Sequence, residues 1–128
     1  MKKSILLIAL LTQTFSSYAS SDTKAKLELF CHVRSSAGMV FLEVYSKGQQ
    51  QTVELSLLGE SLLAPQTLAK TPDHSRFKVY VSDSVTMFVD KASAQEAPMG
   101  NTQVSAILSI DTPELSLDHE EVTCEMKP

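Results

Sequence analysis

Tryptophan is absent, aromatic residues make up only 6% of the chain, and 128 residues contain four glycines, five prolines and two cysteines. Each shortage excludes something. Glycine and proline are too scarce for a collagen-like chain, and a hydrophobic fraction of 43% is too high for a wholly disordered one. Basic side chains are outnumbered 11 to 15, a net charge of -4. Nucleic-acid binders ordinarily carry a basic face, so no nucleic-acid partner is expected. Two cysteines without a Cys-x-x-Cys pair and three scattered histidines have no zinc spacing, so neither a metal nor a cofactor is expected. His-Glu-x-x-His, Gly-x-Ser-x-Gly and a glycine-rich phosphate loop are also missing. The length fits one domain.

What is present begins with an address. Lys2 and Lys3 precede the apolar run Ile5 to Leu11, a polar stretch follows, and Ser17 and Ala19 put small residues before Ser20. This is the pattern of a secretory signal peptide over residues 1–19, leaving a single β domain over residues 20–128. The apolar run is far below the roughly 20 residues that span a bilayer. Cleavage after Ala19 would leave 109 residues at a net charge of -6. The excess is confined to the segment after Ala92, which holds Glu96, Asp111, Glu114, Asp118, Glu120, Glu121 and Glu125 against Lys127 alone. The expected location is periplasmic or secreted.

Export makes the two cysteines a disulfide, and Cys31 with Cys124 is the one available pair. Such a bridge ties the first element of the mature chain to the last. In the chain-entropy model a loop of about 100 residues makes it worth roughly 4–5 kcal/mol.

The dominant period is two. Leu27, Leu29, Cys31 and Val33 alternate with polar residues and Phe30, and Met39 to Tyr45 is β-prone throughout. Val53, Leu55 and Leu57 alternate next, then Phe77, Val79 and Val81, then Val85, Met87 and Val89. Val104 to Ile110 resumes the period, Leu115 and Leu117 give a short strand, and Val122, Cys124 and Met126 give the last. The segment from Glu60 to Lys70 is ambiguous because Pro65 interrupts it, and Lys91 to Asn101 reads as irregular. Short connections imply antiparallel neighbours. The expected fold is all-β, a small antiparallel meander barrel of about eight strands closed by the disulfide. A two-sheet β-sandwich is the alternative. Pairing the first strand with the last would remove both exposed edges. A membrane barrel needs strands of roughly 9–11 residues and aromatic girdles, so no stable membrane insertion is expected.

Chemistry is thin. His74 lies between Asp73 and Ser75, and His119 lies in the acidic turn Asp118-His119-Glu120-Glu121. These two places carry the alternative of a small envelope enzyme, although no nucleophile is framed by an oriented base. No catalytic residue is assigned. Surfaces are more informative. If Val40, Leu42 and Val44 face the core, then Met39, Phe41 and Tyr45 point outward. Tyr80, Phe88 and Ile107 fall on the outer parity of their strands, and together the six form an expected interaction surface. Asp111, Glu114, Asp118, Glu120, Glu121 and Glu125 form an expected acidic surface that would attract a basic protein. The expected function is therefore non-catalytic binding of a protein partner. A structural envelope component and an inhibitor of a basic protein are further alternatives.

Overall fold

The computed structural model describes residues 25–72 and 74–128, so the signal-peptide segment and Asp73 lie outside the described residues. The first four strands are β1 (Lys26–Ser35), β2 (Gly38–Lys47), β3 (Gln50–Leu57) and β4 (Glu60–Thr67). The rest are β5 (Phe77–Val81), β6 (Val85–Glu96), β7 (Thr102–Asp111) and β8 (Ser116–Met126). All neighbours are antiparallel, in the order β4-β3-β2-β1-β8-β7-β6-β5. The eight-stranded meander is curled into a half-barrel, as the period-two pattern and short connections imply.

Alternation places one side-chain set inside. Leu29, Leu42, Leu55, Met87, Leu108 and Ile110 are fully buried on the concave face. Burying each such side chain stabilises the fold by about 1.5–3 kcal/mol. Cys31 and Cys124 sit directly opposite one another in the β1–β8 register and are bonded, inside this core. Met87 Sδ lies 3.7 Å from Cys31 Sγ, so the bridge packs against β6 as well as joining β1 to β8.

The first and last strands do pair, but this does not remove the edges. It places them at β4 and β5, strands consecutive in the chain. The seam between them is stitched at one end. Gln66 on β4 reaches the β5–β6 turn: its Oε1 accepts from Ser82 Oγ at 2.7 Å and from the Ser84 amide at 3.1 Å. Its Nε2 donates to Ser84 Oγ at 3.1 Å, and the Ala69 amide donates to the Val81 carbonyl at 2.8 Å.

Three expectations about individual segments change. Glu60 to Thr67 is a strand, and its Pro65 is tolerated because β4 is an edge. The stretch after Lys91 is not irregular throughout, since β6 continues to Glu96 across a bulge between Asp90 and Gln95. Ser93 holds that bulge by donating to the Asp90 carbonyl at 2.6 Å and accepting from the Ser105 amide at 2.8 Å. Leu115 to Met126 does not break into two short strands. From Ser116 it is one strand, β8, with His119 at a bulge in the left-handed region (φ 52°). Several strands reach 10 to 12 residues, so the expected shortness fails. Apolar side chains fill the interior, whereas Arg34, Glu54, Asp90 and Glu121 stand on the outer parity of their strands.

Candidate functional site

The site is decided by the parity of β5. Its sequence reads as a strand with Phe77, Val79 and Val81 on the core side. The register shows the opposite: Lys78 and Tyr80 pair with Val89 and Met87, which face inward, while Val79 pairs with the outward Phe88. Tyr80 is 2% exposed, so it is no surface residue, contrary to expectation. What turns it inward is a polar partner. A bulge at Glu28 in β1 inserts one extra residue against β2 and re-aims the Glu28 carboxylate. Glu28 Oε2 accepts from the Tyr80 hydroxyl at 3.1 Å and from Gln51 Nε2 at 2.7 Å. Burial and the adjacent Glu28 charge push the Tyr80 phenol well above its ordinary pKa.

The inverted parity has a consequence on the other face. Side-chain period is two, so taking Tyr80 in puts Phe77, Val79 and Val81 out. Val79, Phe88 and Ile107 form one continuous rung across β5, β6 and β7, and Glu121 on β8 ends it. Phe77 meets Phe88 edge-to-face, with ring centroids 6.5 Å apart. The result is a shallow groove of about 260 Å³ floored by Phe77, Phe88 and Ile107. Phe88, at 39%, is the most exposed of the expected aromatic surface residues. At the rim Arg76 forms a two-pronged ion pair with Asp90 at 3.2 and 3.3 Å, and its guanidinium lies 5.3 Å from the Phe77 ring centroid. The hydrogen bond from Arg76 holds the Asp90 carboxyl below the usual carboxylate range. Glu121 is the rim carboxylate with no ion-pair partner among the described residues.

Phe88 and Ile107 are thus brought together, and the other expected surface residues are not. Phe41 lies three strands from Ile107, and it stacks on Phe30 with centroids 5.5 Å apart. Met39 shares the outer parity of β2, and Tyr45 lies near its far end, donating to Glu43 at 3.2 Å. Phe77 and Val79 are the residues that sequence reasoning misplaced. The missing signal is the Glu28 bulge, because Leu27-Glu28-Leu29 looks like ordinary alternation.

The acidic set separates along the barrel axis. Asp111, Glu114 and Asp118 lie at the end formed by the β7–β8 turn, with Glu60 and Asp83 at neighbouring turns of that end. Glu120 sits just past the His119 bulge, and Glu121 borders the groove. Glu125 is at the opposite end and accepts from Asn101 Nδ2 at 3.1 Å. That opposite end also gathers Lys26, Lys47, Lys70, Lys78, Lys91 and Lys127, with Arg76 beside it. The end with the β7–β8 turn is mainly acidic, with Arg34 near its β1–β2 turn, and the opposite end is mainly basic, although Glu28, Glu96 and Glu125 lie there too.

The same basic end opens into a second concavity of about 410 Å³, which ends on the packed core. Val89, Val104 and Met126 line it, and Glu28, Lys78, Tyr80 and Lys91 supply its polar groups.

His74 Nδ1 accepts from the amides of Arg76 at 3.2 Å and Phe77 at 3.3 Å, so that nitrogen caps the entry to β5. His119 pairs with its neighbour Asp118, and both are exposed. Among the described residues no cluster of three or more His, Cys, Asp and Glu side chains is arranged to hold a metal ion.

Comparison with protein-family profiles, with curated proteins and with solved structures finds no match. The Cys31–Cys124 bridge is consistent with an oxidising, extracytoplasmic compartment.

Proposed function

We propose that this chain is a non-catalytic periplasmic or secreted binding protein that engages a protein partner through the outer groove of Phe77, Phe88 and Ile107. The carrying observation is the rung itself. Large apolar side chains stand side by side on the convex face of three adjacent strands, where a solvated sheet would carry polar ones. The rim favours a particular chemistry. Arg76 and Asp90 satisfy one another, and Glu121 is left as the local charge. The fitting partner segment presents an apolar side chain next to a lysine or arginine. The acidic end at Asp111, Glu114 and Asp118 adds long-range attraction for a basic partner, an effect that salt screens.

The test is accessible apolar surface. A solvatochromic dye should bind the folded protein with one dominant site, and Phe88→Asp should remove most of that signal without changing the melting temperature. Equal dye binding by the variant and the wild type would contradict the proposal.

A further inference from the structure

The concavity at the basic end is built differently from the outer groove. Its lining is largely apolar: Val89 and Val104, buried in the core, lie beneath it, Met126 continues the inner parity of β8 to the opening, and Ala94 of the β6 bulge closes one side. Its one carboxylate is already engaged, because Glu28 accepts from Tyr80 and Gln51 and is held against the wall. Its two ammonium groups are not. Neither Lys78 nor Lys91 has an ion-pair partner among the described residues. Lys91 Nζ spends one donor on the His74 carbonyl at 2.7 Å, and Lys78 Nζ sits 5.7 Å from the Tyr80 ring centroid. A lysine ammonium has three donors, so both retain donors for a ligand. A volume of about 410 Å³ falls in the range of small-molecule sites, which favour barrel mouths with apolar walls and few polar groups.

We propose that this mouth cavity binds a single-chain amphiphilic anion, with its apolar chain against Met126, Ala94 and the methylene stems of the lysines and its acidic head between Lys78 and Lys91. The further lysines at this end, Lys26, Lys47, Lys70 and Lys127, raise the local concentration of such an anion. The head can be a carboxylate, sulfate or phosphate, and the ligand can come free in solution or from an anionic bilayer.

Calorimetry of the disulfide-bonded protein with dodecanoate below its micellar concentration tests this. One dodecanoate should bind per chain. Lys78→Gln and Lys91→Gln should each weaken binding about tenfold, the loss of one charge-assisted hydrogen bond. Both variants should keep the wild-type melting temperature, since they alter ammonium groups at an open mouth. Phe88→Asp, on the opposite face of the sheet, should bind dodecanoate as the wild type does, which separates this site from the outer groove. Acetate, which lacks the chain, and octyl glucoside, which lacks the charge, should each bind far more weakly. Binding to phosphatidylglycerol vesicles that dodecanoate displaces would identify the bilayer as a source and support the site. Absence of saturable dodecanoate binding, equal binding of octyl glucoside, or undiminished binding by both lysine variants would overturn it.

Discussion

Tyr80 links the two faces of the sheet. Its ring is buried against the core while its hydroxyl reaches the Glu28 carboxylate. A hydrogen bond to a charged group is worth about 1.5–3 kcal/mol, and Gln51 stays behind as a second donor when it is lost. Tyr80→Phe should therefore destabilise the protein by about 1–2 kcal/mol. It should also change the alkaline limit. The folded-state pKa of Tyr80 lies above the ordinary value of 10.0, so the neutral phenol is favoured by folding. That contribution is complete below the ordinary value and is lost as pH rises from it toward the folded-state pKa. Denaturant unfolding at stepped alkaline pH should show a steeper decline for the wild type than for Tyr80→Phe. Parallel declines would mean that Tyr80 is not the group responsible.

Elements meet at the seam, and there one side chain, with the Ala69 amide and the Thr71 hydroxyl beyond it, stands in for a ladder. Gln66 makes three hydrogen bonds to Ser82 and Ser84 across the gap between β4 and β5. Gln66→Ala should cost about 1–3 kcal/mol, because the groups it satisfies lose their partners. Hydrogen exchange should quicken at Ser84 and along β4 and leave β1 and β8 unchanged. Uniform acceleration along the whole sheet would show that the seam is not a local weak point. The elements also show which parts of this fold are legible in the residues. Strands such as β3 and β7 alternate and are found by period alone. The disulfide follows from having two cysteines in a chain whose first residues read as an export signal. The strand β5 defeats the same reasoning, because Phe77-Lys78-Val79-Tyr80-Val81 can be amphipathic either way. Hydropathy favours the valines inside, and a bulge and carboxylate far away in β1 decide for Tyr80. The bulge at Glu28 leaves no mark in a periodicity count, and those after Asp90 and at His119 show there only as breaks in the alternation, although the strands continue through them. The candidate groove depends on that inversion. Phe88 and Ile107 are therefore visible from the sequence, and Phe77 and Val79 are not.

At the scale of the whole molecule, part of an acidic C-terminal third gathers at one end, at Asp111, Glu114 and Asp118, and scattered lysines gather at the mouth of the other. The antiparallel meander does this by returning alternate strand ends to the same place. The proposed binding function falls between those poles, on a convex apolar groove that the inward turn of Tyr80 creates. A photo-crosslinking residue at Ile107, in the groove, and at Thr52, on the outer parity of β3, tests this claim most directly in cells exporting the protein. The account predicts a discrete protein adduct from Ile107 that weakens with added salt and disappears with Phe88→Asp, and no matching adduct from Thr52. Equal adducts from both positions, or an Ile107 adduct that survives Phe88→Asp, would contradict it.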